Sequence, residues 1–176
     1  TIAFGALCRM LCRRFPAFPL TLLSHFYAAL RNGLLSPEKA IGWTIICNAY
    51  NIFAIALPGS STLIPYLVSK AKELMLAPSA PPLSATNGKQ KAMSLLDSLI
   101  CYPAQMPSLS VPSLVNEGKN YTAPMLRDTL YSTLIASLYV PQVNSECKSM
   151  ALWSIAVAIT EEFSHFSGEK VPELTH

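Results

Sequence analysis

Few residues in this chain of 176 have the type and spacing that chemistry needs. Glu162-x-x-His165 has the spacing of a ligand pair in a di-iron helical bundle. Such a site also takes further carboxylates and a second pair from facing helices. The pair reads instead as an exposed final helical turn, with Glu161 beside it. Cys8 and Cys12 lie one helical turn apart, but no histidine or second cysteine pair stands near them to complete a zinc set, so both are expected to face the core. A serine or cysteine nucleophile needs a base within reach, and His25, His165 and His176 nominate none. No Walker loop, dinucleotide fingerprint or Gly-x-Ser-x-Gly elbow occurs. The catalytic, cofactor and metal sets are therefore empty, and the chain reads as a non-enzyme.

The elements that would position any site are apolar. Charged residues make up 13% of the chain and apolar ones 51%, where ordinary soluble domains carry about 25% charge. Mean hydropathy is +0.35. So little charge implies that lipid or protein covers part of the surface. The net charge is +3. Arg9, Arg13, Arg14 and Arg31 all precede the first acid, Glu38, but they form no long basic stripe with interleaved aromatics, so no nucleic-acid partner is expected. Five cysteines, Cys8, Cys12, Cys47, Cys101 and Cys147, match no disulfide framework. They suit buried thiols in a reducing, cytoplasmic setting. On that reading the sequon Asn120-Tyr121-Thr122 carries no sugar. The opening at Thr1, inside an apolar pattern, reads as a piece of a longer protein.

Seven helical segments follow from periodicity and caps. They span Ile2 to Arg14, Leu20 to Arg31 (stopped by Asn32-Gly33), Ser36 to about Asn48, about Ser60 to Leu76, Lys89 to Cys101, Thr122 to Val140 and about Asn144 to Phe166. The stretch 78–88, "PSAPPLSATNG", reads as a mobile linker, and about 102–121 as an irregular loop. Strand signals are few. Short connections make consecutive helices neighbours. The expected fold is all-α, an α-solenoid of antiparallel helix pairs of the HEAT or armadillo kind, with one segment over 1–176. Trp43, Tyr50, Phe53, Trp153 and Phe163 fall at helical spacings and are expected in the core.

Ala40 to Ser69 contains no charged residue. Residues 41–57 are short for a membrane span, which takes about 20 apolar residues. Asn48 and Asn51 fall near its centre and Pro58-Gly59 ends it, so no membrane span is expected. Leu57, Pro58, Gly59, Leu63 and Leu67 instead make a structural corner between two buried helices. Gly59 should take positive φ, and the hydroxyls of residues 60–62 should cap the next helix.

Three stretches then suggest a family: "LPGSSTLIPYL" (Leu57 to Leu67), "SLLDSLICYPAQMPSLSVPSL" (Ser94 to Leu114) and "SMALWSIAVAITEEF" (Ser149 to Phe163). In order and spacing they resemble the helical region of the tuberin-like α subunits of Ral GTPase-activating protein, and "SHFYAALRNGL" (Ser24 to Leu34) fits the helix before them. The Pro-rich stretch from Pro78 to Pro82 departs from the pattern. The resemblance implies a cytoplasmic scaffold of helical repeats with a catalytic GTPase-activating domain elsewhere. It also implies a helical β subunit as partner and a small GTPase reached through the full-length protein. The alternatives are a small membrane-embedded helical protein and a stand-alone peptide-binding solenoid.

Overall fold

The structure, a computed structural model, describes residues 1–12, 18–78, 85–112 and 119–168, with the backbone alone at 85, 86 and 165–168. Helices dominate it. In chain order they are α1 (Ile2–Leu11), α2 (Leu20–Leu35), α3 (Lys39–Ala49), a 3-10 turn (Ser60–Leu63), α4 (Ile64–Leu76), α5 (Ala85–Asp97), the single turn α6 (Tyr102–Gln105), α7 (Ala123–Tyr139) and α8 (Ser145–Gly168). Two three-residue strands interrupt the series, β1 (Ser110–Pro112) and β2 (Asn120–Thr122), paired antiparallel with Val111 opposite Tyr121.

Contacts between helices fall into two rows. One row runs α1, α3, α5, α8, each packed on the next, and the other runs α2, α4, α7. The chain alternates between the rows, and the rows pack on each other through α2 on α3, α4 on α5 and α7 on α8. The core lies between them, with Leu30, Ile45, Leu67, Met93 and Leu134 fully buried.

Several boundaries differ from the sequence expectation, each for a physical reason. Asn32-Gly33 does not stop α2, which continues to Leu35. Gly33 is a packing glycine: a Cβ there would stand 2.7 Å from Ile45 Cδ1 and 2.8 Å from the Phe4 ring. Its missing side chain is what lets α1 and α3 approach α2. The third helix begins at Lys39 rather than Ser36, whose hydroxyl accepts the Glu38 N–H at 3.2 Å in the turn before it. The supposed linker 78–88 is shorter than expected, because α5 already includes 85–88; residues 79–84 lie outside the described residues.

Lys89, on the first turns of α5, explains why this end is ordered. It is 2% exposed, and its Nζ donates to the carbonyls of Met75 and Ala77 at 3.0 Å each. Those carbonyls end α4 and have no partner within the helix. The ammonium thus closes the C-terminus of α4 onto α5, where a cation also suits the helix dipole. The loop expected over 102–121 is also partly regular, containing α6 and the β1–β2 ribbon. Asn120 Nδ2 donates to Ser110 Oγ at 2.6 Å beside that pairing, and residues 113–118 lie outside the described residues.

The uncharged run 40–69 is folded into the stack. α3 ends at Ala49, and residues 50–56 form successive turns, with Ile52 N–H bonded to Ala49 O and Ala56 N–H to Phe53 O. Ile52 and Phe53 are buried in them. Asn51 Nδ2 donates to Cys12 O at 3.1 Å, so it closes the end of α1. Asn48 takes a hydrogen bond from Arg9 at 3.2 Å and donates to Thr44 O. Among the described residues no helix is long and apolar enough to cross a membrane.

Candidate interaction face

Gly59 has φ +79°, and Leu63 and Leu67 are buried, as expected. Leu57 is half-buried; Pro58 is exposed, and its carbonyl accepts a hydrogen bond from Tyr27 OH at 2.8 Å. Burial pushes the Tyr27 phenol up to about 12. Two expectations fail. The connection spans 50–63 rather than a tight Pro-Gly turn, because the intervening turns satisfy their own backbone. The hydroxyls of residues 60–62 cap nothing: Thr62 Oγ1 donates back to Gly59 O at 2.8 Å, and the 3-10 turn has no side-chain cap. Pro65 sits in the first turn of α4, where no N–H is required.

Among the described residues the other candidates assemble no reactive centre. Cys8 and Cys12 are buried, and desolvation raises both thiols to about 12, which suppresses the thiolate a nucleophile or metal ligand needs. All five cysteines are free. Glu162 accepts a hydrogen bond from Tyr131 OH at 3.2 Å and lies 4.0 Å from Arg127; it ties α8 to α7. The His165 side chain lies outside the described residues, as does Glu173-x-x-His176, which repeats the Glu-x-x-His spacing. Among the described residues no group of three His, Cys, Asp or Glu could hold a metal ion. A groove of about 420 Å³ lies between α6 and the start of α7, lined by Pro103, Ala104, Pro107 and Pro124 with Arg127 and Glu162. A second, of about 550 Å³, is lined by Tyr27, Arg31, Thr62 and Tyr66 among others. Neither brings a nucleophile to a base.

The feature that stands out is the outer face of α8. Asn144 caps this helix, its Oδ1 accepting the Cys147 N–H at 2.9 Å. The inward positions are small: Cys147, Ala151, Ser154 and Ala158 are buried, at spacings of four, three and four. Small side chains let α8 lie close against α5. Two polar links fix the approach: Ser154 Oγ donates to Asp97 at 2.6 Å, and Gln90 Nε2 donates to Glu146 at 2.9 Å.

Because the inner stripe is small, the bulky residues of α8 point outward. Trp153 is 72% exposed and Phe163 71%, with Leu152 and Ile159 exposed beside them. This overturns the expectation that Trp153 and Phe163 lie in the core; of the same set Phe53 is buried, and Trp43 and Tyr50 are half-buried. No charged residue occurs between Lys148 and Glu161, so no charge solvates this side of the helix. Ile135 and Tyr139 of α7, which packs on α8, are exposed as well. Residues 153, 156, 160 and 163 form one stripe at helical spacing. Helical period alone makes such aromatics look like core. The small stripe at 147, 151, 154 and 158 was the signal that assigns the inner side.

An apolar stripe of this kind suits protein contact, since large exposed aromatics surrounded by few charges are what interfaces bury. Comparison with protein-family models, with curated proteins and with solved structures returns no match to this chain.

Proposed function

We propose that the chain is a non-catalytic scaffold segment, an α-solenoid of paired helices, in a cytoplasmic protein resembling the α subunit of Ral GTPase-activating protein. Its role is to hold a heterodimer with a helical β subunit together, while a domain elsewhere acts on the small GTPase. The outer face of α8, apolar and free of charge from residue 149 to 160, is the observation that carries this reading. Such a face is costly to leave in water and is stabilised by a partner. The alternation of the chain between two helix rows supports the solenoid, because a solenoid is built from such stacked pairs. Two of the stretches that carry the resemblance are joined directly: Ser154 Oγ donates to Asp97 at 2.6 Å.

The test is direct binding. Purified chain is titrated with the purified β subunit and followed by size exclusion and calorimetry, for wild type and for Trp153→Glu. The reading predicts a complex that Trp153→Glu weakens at least tenfold, since a charge buried without a partner is strongly unfavourable. No complex with the wild type, or equal binding by the variant, contradicts it. In a parallel assay the chain alone should leave GTP hydrolysis by Ral at its basal rate.

A further inference from the structure

We propose that the groove between α2 and the start of α4 is a docking site for an acidic peptide segment of a partner protein, whose carboxylate pairs with Arg31. The site lies on other helices than the outer face of α8 and stands independently of it. The groove measures about 550 Å³, within the roughly 300–1,000 Å³ of ligand sites. α2 packs both on α4 and on the 3-10 turn before it, and the groove follows that junction. Ser24, Ala28 and Arg31 line it at spacings of four and three, on one face of α2. Thr62 and Tyr66 line it from the other element. Ser24, Ala28, Arg31 and Thr62 are exposed and Leu63 is buried, so the groove is an open trough with an apolar floor rather than an enclosed cavity. From Ser24 to Arg31 is about 10 Å along the helix, the reach of about three extended residues.

The hydrogen bonds already made in the groove select the ligand. Ser24 Oγ donates to Thr21 O, Tyr27 OH to Pro58 O and Thr62 Oγ1 to Gly59 O, each at 2.8 Å. A hydroxyl has one hydrogen and two lone pairs. These three have spent their hydrogens inside the fold and keep oxygen lone pairs for a ligand, which must therefore donate. Arg31 is the opposite case, with five N–H donors and no acceptor. Among the described residues no carboxylate pairs with it, and the sequence holds no acid before Glu38. Arg127 in the other groove is by contrast already matched by Asp128 and Glu162. The lining thus calls for N–H donors and an anion on one ligand. A peptide with an Asp or Glu side chain carries both, whereas phosphate brings the charge without the N–H groups. Nucleic acid takes a basic stripe, and Arg31 is the one cation among the described residues of this lining.

Fluorescence anisotropy of a fluorescein-labelled peptide, Ala-Glu-Ala-Glu-Ala, titrated with the full chain reads the outcome. Wild type should bind it, and added salt should weaken the binding. The glutamine counterpart, Ala-Gln-Ala-Gln-Ala, should bind about tenfold more weakly, because a charge-assisted hydrogen bond is lost. Arg31→Gln should lower the affinity for the acidic peptide by about the same factor. Arg127→Gln in the other groove and Trp153→Glu on α8 should both bind as wild type does. Circular dichroism melts check that the variants fold, and Arg31→Met stands in for Arg31→Gln if that one does not. A wild type that binds neither peptide overturns the proposal, as does equal binding of the two peptides or an Arg31 variant that binds as wild type. Inorganic phosphate that displaces the peptide at the peptide's own concentration also overturns it, because the groove would then read charge without amide donors. Loss of peptide binding in Trp153→Glu would move the site to α8 and overturn it too.

Discussion

Replacing Gly33 with alanine tests the packing that joins the first three helices. In an exposed helix interior the change is stabilising by about 1 kcal/mol, the difference in helix propensity. Here the added Cβ would lie 2.7 Å from Ile45 Cδ1 and 2.8 Å from Phe4 Cε1 and Cζ. Carbon atoms prefer roughly 3.5–4.0 Å, so α1 or α3 must retreat by about 1 Å. Ile45 is fully buried and the half-buried Phe4 ring packs against the same core, so both must move within a filled space. Overpacking of this kind costs about 1–3 kcal/mol. Set against the propensity gain, Gly33→Ala should destabilise by about 1 kcal/mol, and Gly33→Asn by more because it adds polar bulk to a buried site. Trimming the clashing atom with Ile45→Val should make the alanine less harmful than it is alone. Urea unfolding followed by circular dichroism gives each value. A Gly33→Ala protein more stable than wild type by about 1 kcal/mol would refute the close approach. A Gly33→Asn variant that is tolerated would instead indicate a left-handed helix end, where asparagine is accepted.

Three further outcomes are expected. Lys89→Met should destabilise by about 2–4 kcal/mol in urea unfolding, because two helix-ending carbonyls lose their donor; an unchanged midpoint would mean that water replaces the ammonium. Cys8 and Cys12 have thiols raised to about 12 in the fold from 9.0, so their contribution is complete below pH 9 and is lost as pH rises towards 12. That loss is about 1.4 kcal/mol per pH unit per thiol, and Cys8→Ala/Cys12→Ala should flatten the alkaline slope of the unfolding free energy; an unchanged slope would contradict the burial. Gly59→Val should cost at least about 1 kcal/mol at φ +79° and Leu67→Ala about 2–5 kcal/mol from a fully buried site, both measured by thermal melting, and a shift from neither would dissolve the corner.

Local signals in the sequence were sufficient where one or two residues decide the geometry. Gly59 with positive φ, Pro65 in a first turn and the burial of Leu63 and Leu67 all follow from propensity and period. What the sequence hid depends on neighbours remote in the chain. Gly33 looks like a helix stop until Phe4 and Ile45 are placed against it. Lys89 looks like a solvated charge until the α4 carbonyls are seen to surround its ammonium. Trp153 and Phe163 look like core because α8 is apolar nearly all round, and hydrophobicity cannot then choose a side. Side-chain size chooses it: the small residues Cys147, Ala151, Ser154 and Ala158 turn inward and displace the bulk to the surface.

The central claim, that the outer face of α8 is open in the single chain and covered on assembly, is tested most directly at Trp153. With Trp43→Phe, Trp153 is the one remaining tryptophan and its fluorescence reports this face alone. In dilute protein acrylamide should quench it freely, in keeping with its 72% exposure. On adding the β subunit, quenching should fall and the emission should shift to the blue. A Trp153 already shielded in the dilute monomer, or one equally quenched under every condition, would contradict the account.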